Sequence, residues 1–370
     1  MQHFLEVLKI LDGAVNADRN KVLAYAEQLA AKLEANGDPR SAEGIRRTVR
    51  KGRTRDLEAS RMTSALPVDG ESRLALADER SYAAGEVRIV FDASSAERVA
   101  EFVRNIRGSA ELMAGGVNLS PSLLMYGPPG CGKTEIAKYV AAQLDLPLLT
   151  ARTDSLISSY LGSTAKNLRL LFEHAMSRPC VLFLDEFDAV AKLRDDQHEL
   201  GELKRVVVSL LQNIDALDSN TVLVAATNHE HLLDRAIWRR FAYRLQIGLP
   251  TLVARRTLLE QFLAGQAPPA IPLEDLAIAT EGMSGADIRT LCEEARRTAI
   301  LNRQTGITDR DLLLRLARNR IADLDTLSTR DQLASARRLS PKLFTVRRLA
   351  DLFSVSTGKV STLLRKEGTT

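Results

Sequence analysis

The 370-residue chain is short of several things that would narrow its class at once. It has three cysteines, one tryptophan, and only 5% aromatic residues in all. Cys131, Cys180 and Cys292 stand far apart, which excludes a disulfide framework and a zinc cluster of closely spaced thiols. No run approaches the ~18 consecutive apolar residues that a membrane-spanning helix needs. Residues 1–6 lack the basic stretch and long apolar run of a secretion signal. The expected location is therefore cytoplasmic, with no membrane partner. Protease chemistry also lacks its pattern. His198-Glu199 and His229-Glu230-His231 do not place two histidines one helical turn apart as H-E-x-x-H would, and no Ser–His–Asp arrangement stands out.

The net charge of +4 conceals an uneven distribution. Residues 40–61 carry +5 and residues 337–366 carry +7, so the remainder carries −8. An acidic body with a basic tail is a different object from a uniformly basic protein.

What is present is organised around Gly127-Pro128-Pro129-Gly130-Cys131-Gly132-Lys133-Thr134, which fits the phosphate-loop pattern G-x-x-x-x-G-K-[ST]. The apolar run 123–126 ahead of it predicts a buried strand. Ile136, Ala137, Val140 and Leu144 behind it recur at helical spacing. Glycines let backbone N–H groups turn inward around phosphate oxygens, and the helix N-terminus adds its positive end. Lys133 is suited to bridge the β- and γ-phosphates, the Thr134 hydroxyl to hold Mg²⁺, and Glu135 completes the candidate nucleotide set. About fifty residues on, Val181-Leu182-Phe183-Leu184 predicts a strand buried on both faces that ends in Asp185 and Glu186. Asp185 is placed to hold Mg²⁺ through water, and Glu186 to polarise an attacking water. A further strand, 221–228, ends in Asn228, whose amide can orient that water. Apolar runs at 123–126, 148–151, 181–184, 222–226 and 245–247 alternate with helical segments. The fold class is α/β, a parallel sheet with its ligand at the strand C-termini. Alternation over 86–91 predicts one more strand at the entrance to this domain.

Beyond the strands, Asp234-Arg235-Ala236-Ile237-Trp238-Arg239-Arg240-Phe241 completes a set that resembles the AAA family of ATPases, with matches from about residue 90 to 320. That resemblance implies a P-loop NTPase core with a helical lid, ATP and Mg²⁺ as cofactors, and a homo-oligomeric ring, a hexamer. It implies Asn228 as the first sensor. It makes Arg239 and Arg240 fingers that reach a neighbour's nucleotide, and the adjacent pair is similar to the katanin- and spastin-like version. Tyr160-Leu161-Gly162 resembles the family's first pore loop, with Tyr160 and Leu161 gripping extended polypeptide; a second pore loop falls near 192–201. Gly282-Met283-Ser284-Gly285-Ala286-Asp287-Ile288 resembles the lid signature that opens a helix near the base, at Gly285 and Ala286. The family's base-contacting segment is not recognisable around Val87 to Phe91, which leaves base preference open.

The expected domains are a helical N-terminal adaptor-like bundle over 1–55, a linker over 56–85, the ATPase core over 86–250, a lid over 251–324, and a tail over 325–370. In the bundle, Asn36-Gly37-Asp38-Pro39 is expected to stop a helix, and the whole resembles microtubule-interacting and trafficking domains in length and helix count, a docking place for a protein partner. In the tail, Ala350, Val355, Val360 and Leu363 keep helix-turn-helix spacing, with Ser354 where glycine is usual. Thr357, Lys359, Ser361, Thr362 and Arg365 are then candidates to face a DNA groove. Three functions follow as expectations: a motor that threads or remodels protein, a DNA-directed ATPase, or an activator of a separately encoded protease.

Overall fold

The computed structural model describes residues 26, 29–34, 36, 38–46, 66–69, 73–117, 120–156, 161–191, 200–217, 220–265, 268 and 271–365. These divide into two compact units, residues 1–66 and 67–370. In the first, residues 29–34 and 39–46 are helical. Asp38 accepts from the Ser41 N–H at 3.1 Å, so Pro39 occupies the first helical position rather than closing the preceding helix. Arg46 pairs with Glu34 at 2.7 Å, and the helical stripe expected at Phe4, Leu5, Leu8 and Leu11 lies outside the described residues.

The second unit runs in order β1 (Ala77–Arg80), α1 (Ala93–Arg107), α2 (Ser109–Ala114), β2 (Ser122–Tyr126), α3 (Lys133–Leu144), β3 (Leu148–Ala151), α4 (Thr153–Leu156), α5 (Leu161–Met176), β4 (Cys180–Leu184), α6 (Phe187–Ala191), α7 (Leu200–Asp215), β5 (Thr221–Thr227), α8 (Arg235–Trp238) and β6 (Tyr243–Gln246). The helices α9 (Leu252–Leu263), α10 (Leu273–Ala279), α11 (Gly285–Leu301), α12 (Asp309–Arg320), α13 (Thr329–Leu339), α14 (Val346–Leu352) and α15 (Thr357–Arg365) follow. The strands form one six-stranded sheet in the order β1-β3-β4-β5-β2-β6. All neighbours are parallel except β1, which runs antiparallel to β3. This is a P-loop NTPase-type α/β fold. Strands β4 and β5 are buried along their whole length, as two helical layers over a parallel sheet require. Val99, Phe102, Ile136 and Val140 from α1 and α3 pack on one sheet face with Met125, Phe183 and Val224.

Two expectations need correction. Residues 86–91 do not form a strand. They run as an irregular segment, and the edge strand is β1, inside the stretch expected to be linker. The alternation of Val87, Ile89 and Phe91 instead reflects half-buried contact with the sheet–helix layer, where Phe91 meets Tyr139 edge-on at 5.3 Å. The lid and tail do not have separate cores. Leu259, Leu291 and Leu316 share one apolar cluster with Leu333, Phe344, Leu349 and Val360. Arg348 of α14 pairs with Asp309 of α12 at 3.0 Å across that junction. Among the described residues no helix is long and apolar enough to cross a membrane.

Candidate active site

The sheet order explains how distant motifs converge. Strand β5 lies between β2 and β4, so Asn228, at the end of β5, stands between the phosphate loop and the carboxylates after β4. Gly127, Gly130 and Gly132 of the loop all take positive φ, and at the first two a side chain would also collide. Gly127 has φ +140°, and a Cβ there would lie 1.9 Å from the Ile247 carbonyl oxygen. At Gly130, φ +74°, a Cβ would meet the Ser284 hydroxyl at 2.6 Å. Gly130 also joins loop to lid, because its carbonyl accepts from the Ala286 N–H at 3.0 Å. Ser284 caps α11 in a reciprocal box with Asp287, fixing the first turn that meets the loop.

Lys133, buried at the start of α3, donates to the carbonyls of Gly127 at 2.7 Å and Pro128 at 2.9 Å. Burial pulls its ammonium below the ordinary lysine value, and the charges of Asp185, Glu230 and Asp188 oppose that pull. The Thr134 hydroxyl donates to Asp185 Oδ2 at 2.9 Å. A hydroxyl and a carboxylate so close are hard oxygen donors of the type Mg²⁺ selects, so these residues fit the ion. The other Asp185 oxygen accepts from the Glu186 N–H at 2.9 Å. Glu186 is exposed and left-handed, φ +48°. Glu135 pairs with Lys138 at 2.8 Å.

These groups line a cavity of about 440 Å³ that also reaches Asn228, Gly285 and Ala286. Its far end is made by residues that sequence reading did not find: Arg88 to Asp92 from the irregular segment, and Leu258, Gln261, Phe262 and Arg289 from the lid. The Arg289 guanidinium lies 5.1 Å over the Phe262 ring. This wall was hidden because the alternation over 86–91 pointed to a strand, whereas the segment is irregular and lines the cavity just ahead of α1.

The two arginines differ. Arg240 makes a two-pronged pair with Asp215, both contacts 3.1 Å, and donates to the Ala236 carbonyl at 3.1 Å. Its own carbonyl accepts from the buried Ser122 hydroxyl at the base of β2. Arg239 is exposed, and no ion pair or hydrogen bond of its side chain occurs among the described residues. Neither arginine lines the cavity. Tyr160 lies outside the described residues, as does most of the second expected pore loop; Leu161 opens α5.

A family model for ATPases associated with various cellular activities (AAA) matches residues 123–249, and an AAA+ lid model matches 270–314. An uncharacterized AAA family ATPase, y4kL, of Sinorhizobium fredii is 36% identical over 309 residues, covering 83% of this chain and 92% of that protein. The chain belongs to the AAA family of ATPases. It binds ATP and hydrolyses it. A proteasome-activating nucleotidase of Pyrococcus horikoshii is 34% identical over 205 residues, 54% of this chain and 51% of that protein. An ATP-dependent zinc metalloprotease FtsH of Rhodococcus erythropolis is 34% identical over 224 residues, 58% of this chain and 26% of that protein. The AAA chain thus spans about half the length of the nucleotidase and a quarter of the metalloprotease.

In the tail, the α14–turn–α15 unit turns at Ser354, which takes φ +54°; a left-handed non-glycine residue costs roughly 1–2 kcal/mol. The Val355 N–H closes the turn on the Ala350 carbonyl at 3.0 Å. Thr357, Lys359, Thr362 and Arg365 are exposed and Ser361 is half-buried. The Thr362 hydroxyl is engaged with its own helix, donating to the Gly358 carbonyl at 2.9 Å. Part of the tail's positive charge is used internally: Arg337 donates to the carbonyls of Pro341 and Phe344, and Arg348 to Asp309.

Proposed function

We propose that this AAA ATPase works as a homo-oligomeric ring, a hexamer, that uses ATP hydrolysis to remodel or thread protein substrates through a central pore. Within one subunit, Lys133 holds the terminal phosphates, Thr134 and Asp185 hold Mg²⁺, Glu186 polarises the attacking water, and Asn228 orients it. Held by Thr134 and Asp185, Mg²⁺ would supply positive charge beside the phosphates. The observation that supports the ring is Arg239, exposed and without a side-chain ion pair or hydrogen bond among the described residues. A planar guanidinium that does not line its own cavity is suited to a neighbour's phosphates. Arg240, tied to Asp215 and Ser122, completes the arginine loop. Protein as the substrate class rests on the relatives, a proteasome-activating nucleotidase and an ATP-dependent protease. In this reading Tyr160 and Leu161 grip the polypeptide, and the N-terminal unit docks a protein partner. Delivery of substrate to a separately encoded protease is one form of it.

The test mixes Arg239→Ala subunits with Lys133→Ala subunits. Each alone is inactive; mixed rings regain hydrolysis where an intact loop meets an intact finger. Complete absence of rescue in assembled mixed rings contradicts action between subunits. Tyr160→Ala is expected to keep basal hydrolysis and lose its coupling to protein remodelling.

A second reading is favoured by α13 to α15, three short helices with a tight turn, and by Thr357, Lys359 and Arg365, each exposed on α15. They would place α15 against duplex DNA and make this a DNA-directed ATPase. Lys359→Glu with Arg365→Glu then abolishes a salt-sensitive gel shift without altering hydrolysis in the absence of DNA. No shift by the unmodified chain at low salt rejects this reading.

A further inference from the structure

Two polar side chains lie buried beside the site without lining its cavity. Thr227 closes strand β5 and is fully buried; Asp188 is buried in the first turn of α6. The Thr227 hydroxyl donates to Asp188 Oδ1 at 2.7 Å, and Thr227 Oγ1 itself accepts from the His229 N–H at 3.0 Å. Asn228 therefore sits at the tip of a turn closed by one hydroxyl. An ionised carboxylate only accepts, so Asp188 fixes where the Thr227 proton points and leaves the lone pairs free for His229. At the other end, Asp188 is two residues beyond Glu186, whose left-handed backbone persists only if its surroundings over-determine it. Among the described residues those surroundings include the Asp185 carboxylate on the Glu186 N–H, the Ala189 N–H on the Glu186 carbonyl at 2.8 Å, the buried Phe187 edge-on to Phe241 at 5.8 Å, and the Asp188–Thr227 bond.

We propose that Asp188 and Thr227 form a positioning pair that holds Glu186 and Asn228 at a working separation around the attacking water. Neither touches nucleotide; each acts through its neighbour. The inference rests on the roles proposed above for Glu186 and Asn228. A merely structural pair behaves differently under substitution. Removing one partner strands a buried polar group, whereas replacing both by apolar groups of similar shape is nearly neutral for stability.

The test compares Thr227→Val, Thr227→Ser, Asp188→Leu and the Thr227→Val/Asp188→Leu double variant, reading melting temperature, ATP affinity and kcat, with Glu186→Gln in parallel. The double variant is expected to melt above either single variant and to bind ATP normally, yet to lose kcat on the order of 10²-fold, the effect of a small misplacement of reacting groups. Thr227→Ser, which keeps the hydroxyl, recovers most of the kcat lost in Thr227→Val. A double variant with kcat within about threefold of the unmodified protein, well inside that loss, overturns the pair, as does parallel loss of ATP affinity. A double variant that melts no higher than the singles assigns the pair to stability and also overturns the proposal. If Glu186→Gln hydrolyses normally, the assigned roles fail and the pair with them. If Glu186→Gln is inactive while the double variant is active, only the pair fails.

Discussion

The α/β core and the lid bury similar apolar side chains but spend their polar groups differently. In the core, polar residues gather at the ends of buried strands: Thr134 on Asp185, Thr227 on Asp188, Ser122 on the Arg240 loop. In the lid they are spent on helix starts, with reciprocal caps at Ser284–Asp287 and Thr308–Asp311. One apolar cluster runs between those helices as far as Val360 of α15, with buried Arg255 and Thr280 bonded to backbone carbonyls beside it. Placing a carboxylate where a low-dielectric strand meets a ligand gives it strong electrostatic work. A cap gives shape. The difference teaches that one half carries chemistry and the other closes over it, meeting at the Gly130–Ala286 hydrogen bond.

The largest effects should separate the two halves. Lys133→Ala removes a charged phosphate contact worth about 1.5–3 kcal/mol or more. It should abolish ATP binding by calorimetry while lid and core melt as before. Phe344→Ala, far from any phosphate, should cost about 3–5 kcal/mol, because Phe344 is fully buried in the shared lid–tail core. Denaturant unfolding checks this. A fully stable Phe344→Ala chain would make the tail an independent appendage. For the same reason a chain cut after residue 324 should lose lid stability and hydrolysis together.

Legibility in the sequence follows the same division. A polar residue that ends an apolar strand is conspicuous, which is why Asp185, Glu186 and Asn228 could be picked out by number, while Lys133 was picked out by the glycine pattern ahead of it. Thr227 carried the same signal, one hydroxyl closing a run of five apolar residues, but reads as an ordinary strand residue until Asp188 is seen opposite. The parallel sheet was legible because β2, β4 and β5 are short, mostly apolar runs; the order of its strands was not. Strand β1 was not, since Ala77-Asp78-Glu79-Arg80 has one apolar residue and is held by backbone pairing to β3. The lid's continuity with the tail was invisible for another reason. Helical stripes name inward faces without naming which helices they face.

Smaller effects sharpen the contrast between the paired arginines. Arg239→Ala should leave the melting temperature unchanged and lower turnover at least tenfold, roughly the weight of a finger on a transferring phosphate. Arg240→Ala should instead show a small loss of melting temperature as well, through the broken Asp215 contact. Smallest of all, an alkylating reagent should label half-exposed Cys131 slowly and the buried Cys180 and Cys292 hardly at all. Burial raises the Cys131 thiol above its ordinary value and pushes Cys292 up to about 12. Bound ATP should protect Cys131, and mass spectrometry of the labelled peptides reads the order.

The most direct measurement of the account is single-turnover hydrolysis by Glu186→Gln with labelled ATP. The amide keeps the shape of the loop and spares the phosphate contacts, but cannot polarise water as a carboxylate does. The account predicts that the variant binds ATP with the affinity of the unmodified protein and leaves it uncleaved, with kcat down on the order of 10²–10⁴-fold. Hydrolysis at the unmodified rate, or loss of ATP binding equal to that of Lys133→Ala, would contradict the placing of the chemistry at the end of β4.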